Sequence, residues 1–271
     1  MVITGASDGI GAAAARELAG PDVDLILVGR SADKLAKVTA DTGAVGLTAD
    51  FARLDDVRAL AKEIADRTTS IDVLLNNAGG TFEPTPPTVD DHEPNFQINH
   101  LAPFLLTNLL HDRLAAAESG ALVVNTSSIG NLIGRVDPTD LDFRRRRATQ
   151  FRAYGTSKLE NILFTRGIAK RWRDDGIVSA AVHPGAVASS FGRDSFVIGL
   201  LYRTPLKRLG PITPEQGAAA LIDLVHRGAD PDINGVYFSR HRARGPESRQ
   251  AHDPELIDQL WTVSAELVGL D

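Results

Sequence analysis

Tyr154-Gly155-Thr156-Ser157-Lys158 sets a phenol and an ammonium four residues apart, so in a helix they share one face. A phenol near its reference pKa of about 10 is a poor base at neutral pH. A nearby cation stabilises the phenolate and brings the group closer to the working range of an acid–base catalyst. The pair alone is a common pattern on surface helices, and it gains weight from three stretches upstream. A glycine-rich turn opens the chain, Asn76-Asn77-Ala78-Gly79 follows a later apolar run, and Ser127-Ser128 closes the apolar run before Tyr154.

The glycine turn is Thr4-Gly5-Ala6-Ser7-Asp8-Gly9-Ile10-Gly11, between the apolar Val2-Ile3 and an alanine-rich helical run over residues 12–18. That is the strand–turn–helix setting of a dinucleotide site. Glycines let the backbone approach a pyrophosphate, and the helix N-terminus supplies N–H groups and a partial positive charge. By itself such a pattern is an ordinary tight turn; in company with the other motifs on one α/β pattern it points to a nucleotide.

Thr4-Gly5-x-x-x-Gly9-x-Gly11, Asn76-Asn77-Ala78-Gly79, Asn99, Ser128, Tyr154-x-x-x-Lys158 and Pro184-Gly185, in that order, resemble the short-chain dehydrogenase/reductase family. Within it, the runs over residues 99–107 and 154–161 are similar to the retinol-dehydrogenase-like branch, as is, less specifically, the closing stretch around Trp261. The resemblance implies a Rossmann fold. It makes Tyr154 the proton donor or acceptor, and Lys158 the group that tunes that phenol and holds the nicotinamide ribose. Ser128 polarises the substrate oxygen, with Ser127 as the competing serine, and Asn99 holds a water on the proton path. The expected cofactor contacts are Gly5, Ser7, Asp8, Gly9, Ile10, Gly11, Arg30, Ser31, Asp50, Phe51, Asn77, Ala78, Gly79, Tyr154, Lys158, Pro184, Gly185, Val187 and Ser189. Read residue by residue, Ser127-Ser128 could also simply end a strand, Asn99 cap a helix and Lys158 be a solvated charge.

An NAD-selective site of this type carries Asp or Glu at the end of the second strand, gripping the ribose 2′-OH. Here that position is Gly29, followed by Arg30, whose planar fork suits a phosphate dianion, then Ser31 and, one helical turn on, Lys34. This favours NADP(H). Against it, Arg30 and Ser31 also read as an exposed turn and a helix cap, and Asp8 stands where some NADP-dependent relatives carry a basic residue.

These groups need a scaffold, and strand–helix alternation supplies one. Short apolar runs over residues 2–4, 24–28, 44–48, 73–76, 122–125, 178–183 and 236–238 read as strands, with helices between them over 54–66, 104–117 and 159–172 among others. The expectation is α/β: one domain over residues 1–271 with a doubly wound, seven-stranded parallel sheet flanked by helices. Ligands then collect at the carboxyl ends of the strands, where every motif above falls. Residues 129–153 form an insertion near the site. The resemblance makes 189–211, rich in apolar side chains, a substrate lid, the alternatives being plain core packing or a surface that touches a membrane or partner chain; with the lid, a lipophilic ketone, aldehyde or secondary alcohol follows.

The chain has 271 residues, 43% hydrophobic, with net charge −6 of mixed sign, so nothing points to a nucleic-acid partner. The run Arg144-Arg145-Arg146-Arg147 reads as a solvated segment beside Asp137, Asp140 and Asp142. The absence of cysteine excludes disulfides and thiolate chemistry and fits a cytoplasmic location. No apolar run spans a bilayer, the N-terminus does not read as a signal peptide, and the short first strand suggests a longer natural start. The seven histidines show no metal-ligand spacing; His183 reads as a strand end, His92 and His100 as loop or pocket wall. The resemblance also implies a homodimer or homotetramer. The rival readings are a nucleotide sensor without chemistry and a light-driven C=C reductase like protochlorophyllide reductase.

Overall fold

Short apolar strands with both faces covered lie side by side in one sheet. The structure, a computed structural model, describes residues 1–185 and 212–270. Strands β1 (Val2–Thr4), β2 (Ile26–Gly29), β3 (Val45–Thr48), β4 (Val73–Asn76), β5 (Ala121–Thr126), β6 (Ile177–His183) and β7 (Val236–Ser239) are all parallel. The short strand β8 (Arg242–Ala243) adds an antiparallel edge to β7, giving the order β3-β2-β1-β4-β5-β6-β7-β8. The seven expected strands are present; β8, two exposed residues after a tight turn at Arg240 (φ 56°), has no apolar alternation to announce it.

The pleat divides each strand between two cores. Val2, Leu74 and Val123 face one, with helices α3 (Leu54–Arg67), α5 (Ala102–Leu109), α7 (Gln150–Arg171) and Pro254–Leu267 packed on it. Ile3, Leu75 and Val124 face the other, covered by α1 (Gly9–Leu18), α2 (Ala32–Thr42) and Pro214–Arg227. This is the doubly wound Rossmann arrangement. Because β1 lies between β2 and β4, the chain winds away in both directions there, leaving a crevice at the carboxyl ends of β1 and β4.

Two helical boundaries differ from the sequence expectation. The helix expected over 104–117 is two, α5 and α6 (His111–Ala115), preceded by α4 (Pro94–Phe96) and a π-helical turn, Gln97–Leu101, in which Ala102 N–H bonds to the Gln97 carbonyl. Helix α7 begins at Gln150, nine residues before the apolar pattern, capped by Thr149, whose side chain accepts from the Arg152 N–H. Its first turns carry site residues, which have no reason to be apolar. No helix among the described residues is long and apolar enough to cross a membrane.

Glu160, on α7, is buried, and neither carboxylate oxygen has a hydrogen-bond partner. Desolvation first, then the nearby acids Glu93 and Asp142, hold its pKa well above the usual 4.5, against the opposing Arg146 charge. Above pH 4.5 the folded state therefore keeps a proton that the unfolded chain releases. Stability is full below that pH and falls as pH rises toward the folded pKa, with a slope of up to about 1.4 kcal/mol per pH unit. Urea midpoints between pH 5 and 8 should show Glu160→Gln gaining on wild type as pH rises; parallel curves would show the acid to be ordinary.

Candidate active site

The turn between β1 and α1 is closed tightly enough that glycine is required. A Cβ on Gly11 would stand 2.4 Å from the Gly5 carbonyl oxygen and 2.6 Å from Asn77 Nδ2. Asn77 braces the turn from β4: its Nδ2 donates to the Thr4 and Gly5 carbonyls, and Thr4 Oγ1 accepts from the N–H groups of Asn77 and Ala78. Its side chain therefore builds the cradle. Asp8 caps α1, accepting from Gly9 N–H at 2.8 Å, and pairs with Lys34 Nζ at 2.7 Å. Ser7 and Ile10 are half-buried beside it.

At the end of β2, a Cβ on Gly29 would lie 2.8 Å from Ser7 Cβ, so a carboxylate there would displace Ser7. Arg30 is exposed and forms no ion pair among the described residues, while Ser31 caps α2 by accepting from Lys34 N–H. Asp50 Oδ1 accepts from Ala52 N–H. Phe51, another of the expected cofactor contacts, has its ring in the core, and its carbonyl accepts from Gln97 Nε2.

The reacting end lies between β5 and α7. The adjacent serines separate into two roles. Ser127 is buried and donates to the Lys158 carbonyl at 2.6 Å, pinning strand to helix. Ser128 accepts from Gly130 N–H at 3.1 Å and hydrogen-bonds the Tyr154 phenol. Burial raises the phenol pKa, and the Ser128 hydrogen bond works against that rise. The expected lowering by Lys158 is not the outcome here. The ammonium lies 5.7 Å from the centre of the Tyr154 ring, and its hydrogen bond goes to the Thr126 carbonyl at 3.1 Å. Desolvation lowers the Lys158 pKa to about 8.

Asn99 sits in the π-helical turn, buried. Its Oδ1 accepts from Gly80 N–H at 2.8 Å, and its Nδ2 donates to the Gly80 carbonyl and to Ser157 Oγ, each at 2.9 Å. A Cβ on Gly79 would meet Asn99 Oδ1 at 2.4 Å and Lys158 Nζ at 3.4 Å, so these three residues converge. His100, next in sequence, turns the other way: its ring is fully buried and stacks on Phe96 at 5.7 Å. The loop or pocket-wall reading of His100 is thus corrected, and His92 is likewise buried, its Nδ1 3.0 Å from Asp142. His183 closes β6 as expected, leading to Pro184 and Gly185; Val187, Ser189 and the expected lid over 189–211 lie outside the described residues.

The insertion after Ser128 begins with a 3-10 turn, Ile129–Ile133, that exposes Ile129, Leu132 and Ile133 and sets Gly130 against the Tyr154 ring. Further on, Arg144 pairs with Asp91 at 2.9 Å, Arg145 bonds Thr139, and Arg146 reaches the buried Asp140 at 2.9 Å, so the arginine run braces its own loop. Among the described residues no three His, Asp or Glu side chains converge as metal ligands. Sequence reasoning missed Ser157, Gly80 and Asn161, which hold site residues in place; only the backbone geometry reveals them.

A profile of short chain dehydrogenases matches residues 1–196. Retinol dehydrogenase 12 of Mus musculus is 37% identical over 279 residues, with 100% of this chain and 86% of the relative covered. A candidate daunorubicin C-13 ketoreductase of Streptomyces sp. (strain C5) is 38% identical, with 99% and 92% covered. Among solved structures, a short chain dehydrogenase of Burkholderia cenocepacia J2315 in complex with NADP superposes with a TM-score of 0.69 at 26% identity, over 88% of this chain and 94% of that one. A protein of Mycobacterium paratuberculosis gives 0.77 at 30%, over 99% and 92%.

Proposed function

We propose that this chain, which belongs to the short-chain dehydrogenase family, in its retinol-dehydrogenase-like branch, is an NADP(H)-dependent oxidoreductase acting on the carbonyl or alcohol carbon of a small lipophilic substrate. One observation carries the reading: the Tyr154 phenol, the Ser128 hydroxyl and the buried Lys158 ammonium gather at the carboxyl edge of β5, facing the glycine turn across the sheet's crevice.

The cradle fits a dinucleotide. The tight glycine turn, held without side chains at Gly9 and Gly11, and the N–H groups of the α1 N-terminus suit a pyrophosphate. Gly29 and Arg30 suit a 2′-phosphate, and Lys158 suits the nicotinamide ribose. NADP(H), when bound, carries the hydride. The remaining chemistry belongs to the chain. Tyr154, its phenol kept protonated by burial, donates to the oxygen of a carbonyl, or in the reverse direction takes a proton from an alcohol. Ser128 orients that oxygen. Asn99, locked by Gly80 and Ser157, lies within reach of the Lys158 side of the site, where it would hold the proton-relaying water.

Exposed Ile129, Leu132 and Ile133 give the Ser128 side an apolar wall, which suits a lipophilic carbonyl. The names of the retinol dehydrogenases and of the ketoreductase agree with such a substrate. We place the protein in the cytoplasm, in keeping with a chain that has no cysteine, and, by the family resemblance, as a homodimer or homotetramer. Purified protein should oxidise NADPH in the dark with members of a panel of lipophilic ketones and aldehydes. NADPH binding without turnover of any of them would favour a nucleotide sensor and overturn the reading.

A further inference from the structure

Thr126 closes β5, paired with Val182 of β6. Strand β4 ends at Asn76, opposite Asn125, so no β4 residue flanks Thr126. Its carbonyl accepts from α7 instead, from Lys158 Nζ at 3.1 Å and from Asn161 Nδ2 at 3.0 Å. These donors are three residues apart on one helical face.

With its amide nitrogen on Thr126, Asn161 must turn its oxygen away. That Oδ1 is buried without a hydrogen-bond partner, and so is His100 Nδ1. The two side chains interact, and each orphaned atom offers what the other lacks. On the far side of the ring, His100 Nε2 is 2.9 Å from Ser264 Oγ, in the C-terminal helix. Phe96, Phe104 and Phe164 hold the imidazole with ring centres 5.7–6.0 Å away. His100, Asn161 and Ser264 are all buried, so their polar atoms have no access to water. One proton arrangement satisfies every atom. Nδ1–H donates to Asn161 Oδ1, Nε2 accepts from the Ser264 hydroxyl, and Asn161 Nδ2 donates to Thr126.

We propose that His100 and Asn161 are positioning residues for Lys158, the middle links of a buried hydrogen-bond chain that begins at Ser264 and fixes the Thr126 carbonyl on which the lysine ammonium is held. The inference rests on the reading of Lys158 as a site residue. Thr126 is the acceptor that holds Lys158 Nζ, so a carbonyl free to tilt would move the cation relative to both the ribose site and the phenol.

The test exploits two isosteres. Asn in place of His keeps a donor where Nδ1 stood, whereas Gln keeps a polar nitrogen where Nε2 stood; both lose the ring. NADPH dissociation constants, read by fluorescence titration, and kcat/KM should be about 2- to 12-fold worse in His100→Gln than in His100→Asn, the worth of one hydrogen bond. Thermal midpoints should fall alike in the two. Equal losses of affinity, or a larger loss in His100→Asn, would overturn the proposal. Should both variants fail to fold, nitrogen-15 NMR of the wild-type protein decides: His100 should be the Nδ1–H tautomer, and an Nε2–H ring removes the chain. Lys158→Met with undiminished NADPH binding and turnover would instead defeat the functional reading, while the tautomer would still report the hydrogen-bond chain.

Discussion

Tyr154→Phe should lower kcat/KM for carbonyl reduction by roughly 10²–10⁴-fold, the range general acid catalysis contributes, or about 2.7–5.5 kcal/mol of barrier. The substitution removes a single oxygen. The ring keeps its place beside Gly130, where a Cβ would come within 3.2 Å of it, and Ser128 keeps its bond from Gly130 N–H. The fold and the glycine turn are untouched, so NADPH affinity should change little. Burial keeps the phenol protonated, the form needed for reduction, so alcohol oxidation should rise with pH while carbonyl reduction stays flat or falls. Single-turnover rates with NADPH and a lipophilic ketone separate chemistry from binding. Near-full activity in the Phe variant would show that another group delivers the proton.

Arg30→Ala should cost roughly 10–150-fold in kcat/KM with NADPH and far less with NADH, since one charge-assisted hydrogen bond is worth about 1.5–3 kcal/mol. Arg30 is exposed and has no competing ion pair among the described residues, so its fork is available to a phosphate. Lys34 is not equally available, because it is tied to Asp8 at 2.7 Å. The expected loss therefore falls mainly on Arg30. Exposure also means screening: the preference for NADPH should narrow as salt rises. A wild-type enzyme preferring NADH, or an Arg30→Ala variant with unchanged NADPH efficiency, would overturn the cofactor assignment.

The sheet was legible because parallel strands buried on both faces must be short apolar runs, and seven of them stand near where those runs are. The turn residues were legible because a turn this tight brings the Gly5 carbonyl and Asn77 up against Gly11 and tolerates no Cβ there. What stayed hidden depends on side chains whose surroundings are set by distant segments. Nothing in the sequence marks Glu160 as buried, yet it lies in the interior near Glu93, Asp142 and Arg146. His100 looks available, yet three phenylalanines from two separate stretches enclose it. The resemblance favours Ser128 over Ser127, but what occupies Ser127, the Lys158 carbonyl, is visible only in the structure. The start of α7 was invisible because its first turns serve the site rather than the core.

The π-helical turn at Gln97–Leu101 bears on which mutations this chain can inherit. Two neighbours in sequence, Asn99 and His100, must look in opposite directions, one to Gly80 and Ser157, the other to Ser264. The extra residue in the turn is what allows both. Deleting any one residue there would restore an ordinary α-helix and rotate everything on one side by about 100°, detaching either the asparagine or the histidine from its partners. Substitutions can accumulate in this stretch one at a time, but its length is frozen; insertions and deletions have to find the exposed turns, such as Pro21-Asp22, instead.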